Sequence, residues 1–222
     1  MSIKVAVLLA GCGVSDGAEI HESVITLLAL DQNGAEAVCV APNIDQHVVV
    51  NHLTNEKQDE KRNVLVESAR IARGQVTDVN EVNVDDLDAL IITGGFGTAL
   101  NNCSFAVDGP DCQVDAGVKK LIEAFYSAQK PIGAMCIAPA LLAKVLTDEQ
   151  LLLTIGSDEG TANAIEALGH SHVETKVGEV VIDEAHKVVS TPAYMLAGGI
   201  AEAANGINAL VEEVLELLKE EA

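Results

Sequence analysis

Aromatic residues are nearly absent from this chain. Its 222 residues include no Trp, two Tyr and three Phe, although 49% of the residues are apolar. The core must therefore be built mainly from Val, Ile, Leu and Ala. Such a composition is typical of a parallel β-sheet whose strands are buried on both faces by helices.

Basic residues are also scarce, with 13 Lys and Arg against 34 Asp and Glu, for a formal net charge of −21. Nucleic-acid binding needs a basic face, so no nucleic-acid partner is expected. No membrane association is expected either, because no apolar run approaches the roughly 20 residues that span a bilayer. Residues 1–11 resemble a short signal peptide, but their continuation into a helical pattern predicts a first core strand.

Paired cysteine motifs are missing. The five Cys, at positions 12, 39, 103, 112 and 136, form an odd set without a CxxC pair. Neither a disulfide framework nor a zinc or other metal site is expected from this spacing. A reducing cytosol is the simplest compartment for such a chain, which predicts a cytoplasmic location.

Strand and helix patterns alternate along residues 1–222, and without a repeat or linker they predict a single domain. Apolar runs predict strands at residues 4–10, 37–41 and 88–94, and helical spacing marks residues 17–32, 64–72 and 114–129. Residues 43–62 are interpreted as an inserted excursion, residues 98–112 as a surface loop, and Thr191-Pro192 as the start of a last helix. The alternation predicts a three-layer α/β sandwich with a mostly parallel sheet and ligand chemistry at the carboxyl ends of its strands.

Cys136 has the most informative surroundings in the sequence. An apolar run ends at this residue, and a helical pattern over residues 137–146 begins directly after it. This predicts a strand, a sharp turn and a helix, with the thiol at the apex. Free backbone N–H groups and the positive end of the helix dipole favour thiolate, so Cys136 is a candidate nucleophile. The alternative is a buried cysteine that acts only as a small hydrophobic residue.

A glycine turn follows the strand at residues 88–94. Gly94 and Gly95 allow a tight turn, and their N–H groups, with that of Ile137, are candidates for an oxyanion hole. The alternative is a plain turn without a chemical role.

Two acidic residues open the first predicted helix. Glu19 and Glu22 share one helix face, where they either complement the helix dipole or, in the case of Glu22, point toward Cys136. A buried carboxyl in that position would have a raised pKa and could move protons. His21 is a further candidate acid–base group.

Two weaker patterns remain. The Gly11-Cys12-Gly13 turn has Asp16 where a dinucleotide fingerprint needs its third glycine, so NAD binding is rejected and no cofactor is expected. His172 and Glu174 form an H-x-E triple that would complete a Cys-His-Glu triad in a glutaminase, provided that the fold brings it to Cys136.

Five motifs together resemble the ElbB-like proteins of the ThiJ/PfpI superfamily, which carry isoprenoid-biosynthesis and amidotransferase-like labels. The motifs are Ala-Gly-Cys-Gly-Val-Ser-Asp-Gly-Ala-Glu-Ile-His-Glu at residues 10–22, Arg-Asn-Val-Leu at 62–65, Thr-Gly-Gly-Phe-Gly at 93–97, Met-Cys-Ile-Ala-Pro-Ala at 135–140 and Ser-Thr-Pro-Ala-Tyr-Met-Leu-Ala at 190–197. The resemblance covers essentially the whole chain. It implies a flavodoxin-like sandwich, a homodimer, a nucleophile-elbow Cys136 paired with Glu22, and an oxyanion-binding backbone at Gly94 and Gly95.

The activity implied by the resemblance is a cofactor-independent glyoxalase III-type lyase. A small aldehyde, glyoxal or methylglyoxal, would give glycolate or lactate through a Cys136 hemithioacetal. Many relatives have a histidine directly after the cysteine or on the next strand, whereas Ile137 follows here and the next strand has none. Weak activity is therefore predicted. The alternative is a non-catalytic, stress-responsive regulatory module in which Cys136 acts as a redox sensor.

Overall fold

The computed structural model of the protein describes residues 2–219, and Met1 and residues 220–222 lie outside it. The strands are β1 (Lys4–Leu8), β2 (Glu36–Ala41), β3 (Val50–Asn51), β4 (Glu56–Lys57), β5 (Val76–Asp78), β6 (Ala89–Ile92), β7 (Ile132–Met135), β8 (Leu152–Leu153), β9 (Ser171–His172), β10 (Val181–Asp183) and β11 (Val188–Thr191). The α-helices are α1 (Ile20–Gln32), α2 (Val64–Ile71), α3 (Phe96–Leu100), α4 (Phe105–Asp108), α5 (Ala116–Ser127), α6 (Ala138–Val145), α7 (Glu159–Ala167) and α8 (Ile200–Lys219).

A seven-stranded sheet forms the centre of the fold, in the order β10-β11-β7-β6-β1-β2-β5. Six of its strands are parallel, and β10 joins the edge antiparallel to β11. The pairs β3-β4 and β8-β9 form two small separate sheets. The predicted α/β sandwich with a mostly parallel sheet is confirmed.

The strands are buried on both faces, as the aliphatic composition predicted. In β1, Val5 and Val7 pack into one apolar cluster with residues of α1, α2 and α8. Ala6 and Leu8 pack into the other cluster, with residues of α5, α6 and α7. This alternation follows from the two-residue period of a strand, and it produces the three layers of a flavodoxin-like fold.

The carboxyl ends of β1, β6 and β7 meet at one edge of the sheet, because these strands are parallel neighbours. The three turns that follow them contain Gly11, Gly94 and Cys136. The first turn of α1 lies at the same edge, since the N–H of Glu19 donates to the carbonyl of Gly94 at 3.0 Å. The fold therefore brings together the segments that the sequence singled out.

Two local predictions are wrong. Residues 98–112 are not a surface loop, because they contain α4 and part of α3, and Asn102 and Cys112 are fully buried. The last helix begins at Ile200 rather than at Pro192, since Ala193 has a φ of 43° that a helix cannot continue. Among residues 2–219, no helix combines the length and the apolar character that crossing a membrane requires.

Candidate functional site

Cys136 occupies a strained elbow between β7 and α6. Its φ of 60° lies in the left-handed region, which costs a non-glycine residue roughly 1–3 kcal/mol. Its N–H donates to the carbonyl of Thr191, the last residue of β11, at 3.0 Å. The neighbouring strand therefore fixes the elbow, and the thiol reaches the wall of a cavity while remaining 8% exposed.

Glu22 is fully buried beside this thiol. Its Oε2 accepts the N–H of Gly94 at 2.9 Å, and its Oε1 accepts the N–H of Tyr194 at 3.2 Å. The carboxyl also forms a hydrogen bond with the Cys136 thiol. The structure therefore places Glu22 next to Cys136, as the sequence predicted.

Gly94 allows this approach because it has no side chain. A Cβ at this position would lie 2.6 Å from Oε2 of Glu22 and 2.8 Å from Sγ of Cys136. Both separations are shorter than side-chain atoms tolerate, so the thiol and the carboxyl could not keep their positions. Gly94 is thus required for the close approach of Glu22 to Cys136. The alternative of a plain turn without a chemical role does not account for this requirement.

Burial is the main influence on the pKa values of the pair. It raises the pKa of Glu22 from 4.5 to about 7, with the nearby charge of Glu19 as the second cause. Burial also raises the pKa of Cys136 well above its usual value, and the negative charge of Glu22 adds to this effect. The sequence predicted that the surroundings of Cys136 favour its thiolate form. While Glu22 is ionised this prediction is wrong, because burial and the Glu22 charge both favour the neutral thiol. When Glu22 holds a proton, its charge no longer opposes the thiolate, so the ionisation of each group depends on that of the other.

The raised pKa of Glu22 predicts a pH-dependent loss of stability. The folded state binds the Glu22 proton more tightly than the unfolded state does, so stability falls as the pH rises from about 4.5 to about 7. The shift corresponds to roughly 3 kcal/mol. We expect the free energy of unfolding in urea to fall by about this amount more in the wild type than in Glu22→Gln across that range. Parallel pH–stability curves for the two proteins would contradict the assignment.

The candidate oxyanion donors divide into two groups. The N–H groups of Gly95 and Ile137 hydrogen-bond the Cys136 sulfur and lower its pKa. The N–H of Gly94 is committed to Glu22 instead, so the prediction of Gly94 as an oxyanion donor is wrong. Gly95 has a φ of 95°, a conformation that favours glycine, and this turn directs its N–H at the sulfur.

Glu19 and His21 lie at the start of α1, where Glu19 is the N-cap residue and His21 belongs to the first turn. Glu19 caps the helix by accepting the N–H of Glu22 at 2.7 Å, and it lines the cavity. His21 is exposed, and its Nδ1 lies 2.7 Å from the hydroxyl of Tyr194, which also lines the cavity. His21 therefore contacts the cavity wall through Tyr194.

The His172–Glu174 pair is positioned elsewhere. His172 lies in β9, where its Nε2 accepts the N–H of Ile155 at 3.3 Å. In the part of the chain that the structure describes, no histidine lines the cavity at Cys136. The residues required for the glutaminase alternative are thus not assembled around the thiol.

The cavity beside Cys136 has a volume of about 460 Å³. Most of its wall is apolar, and part of the wall comes from segments that the sequence did not assign to a site, notably Phe105 and Ala106 in α4. Two of the three Phe in the chain line it. In a sequence with so few aromatic residues, their positions could have indicated the cavity wall. Its polar members are Glu19, Asp158, Thr161 and Tyr194. Residues 2–219 contain no group of three or more His, Cys, Asp or Glu that could hold a metal ion.

Two curated proteins are similar to this chain over nearly its whole length. The chain is 45% identical, over 96% of its own length and 83% of the relative's, to the glutamine amidotransferase-like class 1 domain-containing protein 3, mitochondrial, of Homo sapiens. It is 44% identical, over 96% and 84%, to the ES1 protein homolog, mitochondrial, of Rattus norvegicus. No family model matches the chain.

These relatives correct one prediction. Their names place them in mitochondria, so the cytoplasmic location predicted from the cysteines is wrong. Free thiols indicate a reducing environment, and they do not distinguish one reducing compartment from another.

Solved structures support the fold assignment. A crystal structure of an isoprenoid biosynthesis protein with an amidotransferase-like domain from Ehrlichia chaffeensis has a TM-score of 0.91 and 38% identity, covering 98% of this chain and 100% of that one. Glyoxalase III from Candida albicans has a TM-score of 0.64 at 14% identity, covering 97% of both chains, and shows a shared fold only. With its ThiJ/PfpI-type fold and its identity to the curated relatives, the chain belongs to the glutamine amidotransferase-like class 1 domain family that includes the ES1 proteins.

Proposed function

We propose that this protein is a cofactor-independent glyoxalase that converts glyoxal to glycolate and methylglyoxal to lactate. The observation that carries the proposal is the contact between the Cys136 thiol and the buried carboxyl of Glu22, whose pKa is raised to about 7. A proton-transferring group is most effective when its pKa lies near the working pH. The fold shared with a glyoxalase III adds support at the level of architecture.

In the first chemical step the Glu22 carboxylate takes the proton of the Cys136 thiol, and the resulting thiolate adds to the aldehyde carbon. A C–S bond forms, and the electron pair of the carbonyl moves to its oxygen. The N–H groups of Gly95 and Ile137 face the sulfur, so they lie beside the oxygen of the new adduct and can stabilise its charge. Protonated Glu22 gives its proton to this oxygen, which yields a neutral hemithioacetal and a Glu22 carboxylate.

The second step moves hydrogen between the two carbons. The Glu22 carboxylate removes the proton from the former aldehyde carbon and returns it to the neighbouring carbonyl carbon through an enediol, while the hydroxyl proton of the first carbon passes to the oxygen of the second. The first carbon is thereby oxidised to a thioester and the second is reduced to an alcohol, so no external oxidant or reductant is needed. Water then cleaves the C–S bond, releasing the 2-hydroxy acid and restoring the thiol.

Weak activity remains the expectation. Each well-placed acid–base group contributes about 10²–10⁴-fold, and none of the described residues lining the cavity is a histidine that could assist Glu22. The activity is expected to be weak relative to that of superfamily members that have a histidine next to their cysteine.

The test is to incubate the purified wild-type protein with methylglyoxal and follow the products by NMR. We expect lactate, formed without added cofactor or thiol. A parallel sample is treated with dilute peroxide and analysed by mass spectrometry. Selective oxidation of Cys136 combined with no lactate would reject the glyoxalase and favour the redox-sensing alternative.

A further inference from the structure

The cavity beside Cys136 is larger than a small aldehyde requires. Its volume of about 460 Å³ falls within the range of sites for drug-sized ligands, ~300–1,000 Å³. Methylglyoxal carries only a methyl group beyond its two carbonyls, so it leaves most of this volume unfilled. Phe96 in α3 and Phe105 in α4 line this cavity together with Cys136, so a substituent larger than methyl has aromatic side chains to contact.

The unfilled part of the cavity suits an apolar group. Phe96 is 57% exposed although it is one of only three Phe in the chain, and Phe105 is partly buried. Val14 and Met195 add aliphatic surface to the same wall. Exposed aromatic surface inside a concave wall gains most from an apolar or aromatic ligand group, which removes it from water and can stack on the rings.

The charges of the wall exclude an anionic substituent. The carboxylate of Asp158 accepts hydrogen bonds from the N–H and the hydroxyl of Thr161 at 2.8 and 2.7 Å, and these bonds lower its pKa, so it stays ionised. Glu19 lines the same cavity. None of the described lining residues is Lys, Arg or His. A carboxylate or phosphate on the substrate would therefore lose water beside like charges without gaining a cationic partner.

We infer that the site takes a neutral α-oxo aldehyde with an aryl or branched alkyl substituent, in preference to glyoxal or methylglyoxal. The inference rests on the proposed glyoxalase function for its chemistry and on the cavity for its specificity. The reacting aldehyde lies at Cys136, and the substituent packs against Phe96 and Phe105. The same hydrogen transfer converts phenylglyoxal and water to mandelate.

The first test compares phenylglyoxal with methylglyoxal as substrates. One methylene group in an apolar pocket changes kcat/KM by roughly 10–200-fold, so we expect at least a tenfold preference for phenylglyoxal, expressed mainly in KM. Phe96→Ala is expected to remove most of this preference by raising KM for phenylglyoxal at least tenfold more than KM for methylglyoxal. Leu53→Ala is the matched control, since Leu53 is 94% exposed and does not line the cavity. Equal kcat/KM for the two aldehydes in the wild type, or a preference that survives Phe96→Ala, would overturn the inference.

The second test measures binding without chemistry. Acetophenone has the aryl ketone but no aldehyde, and 4-acetylbenzoate carries a carboxylate on the ring of the same ketone. By ligand-observed NMR, we expect acetophenone to bind the wild type at least tenfold more tightly than Phe96→Ala, and 4-acetylbenzoate to bind more weakly than acetophenone. Tighter binding of 4-acetylbenzoate would overturn the charge argument. Acetophenone binding without turnover of any aldehyde would support the apolar site and reject the proposed glyoxalase function.

Discussion

Replacing Cys136 with alanine is expected to reduce lactate formation from methylglyoxal to the rate in buffer alone. The proposed reaction begins with a bond to sulfur, and the substituted protein has no other thiol in the cavity wall among the described residues. The elbow itself is expected to persist, because alanine carries the same Cβ through the φ of 60°. The measurement is the initial rate by NMR, together with a thermal unfolding curve to verify the fold.

The matched control for this experiment is Cys39→Ala. Cys39 is a buried cysteine in β2 that does not line the cavity, and burial raises its pKa to about 11, so it is an inert thiol. We expect this variant to keep the wild-type rate with a small loss of stability. Undiminished lactate formation by Cys136→Ala would show that the sulfur is not the nucleophile.

Replacing Glu22 with glutamine is expected to lower kcat for methylglyoxal by about 10²–10⁴-fold with little change in KM. The amide keeps the shape of the carboxyl, and its oxygen can accept the N–H of Gly94 or of Tyr194. It cannot take a proton from one carbon and return it to the other, so the hydrogen-transfer step is lost. The measurement is a steady-state comparison of the two proteins.

Glu174→Gln serves as the control for Glu22→Gln and also tests the glutaminase hypothesis. Glu174 does not line the cavity at Cys136, so we expect its substitution to leave kcat within about twofold of the wild type. A Glu22→Gln variant with wild-type kcat would remove the proton-transfer role. A large loss in Glu174→Gln would revive the triad that the structure leaves unassembled.

The central sheet and the pairing of Cys136 with Glu22 were predictable from the sequence. Apolar runs that end at glycine or cysteine identify the carboxyl ends of parallel strands, and those ends meet at one edge of a sheet. The spacing of Glu19 and Glu22 predicted a shared helix face, and the resemblance implied which acid meets the thiol. These predictions depend on short-range residue patterns and on the order of strands and helices, both of which can be read from a single sequence.

The cavity wall was not predictable in the same way. The helices α3 and α4 contain five and four residues, too few to show a helical period, so the sequence of residues 98–112 predicts a loop. The start of α8 was misplaced because Thr191-Pro192 has the chemistry of a helix start. In the structure the N–H of Tyr194 is turned toward Glu22 instead, a long-range contact that local propensity cannot indicate.

The protonation of the site depended on burial, which composition does not reveal. A helix start beside Cys136 predicted thiolate, but full burial of Glu22 and near-complete burial of Cys136 oppose charge on both groups. Likewise, only the three-dimensional structure shows that the N–H of Gly94 donates to Glu22 and is not free for a substrate oxygen. Local sequence identified the participants, and packing assigned their roles.

The acidic wall at Asp158 and Glu19 has a consequence for the end of the proposed catalytic cycle. In the proposed reaction the aldehyde that enters is neutral, whereas the hydroxy acid that forms is an anion at neutral pH. It appears beside carboxylates, with no described cation in the wall to retain it, on a chain of net charge −21. Charge created by the reaction therefore expels the product, so product inhibition should be slight and release should not limit turnover.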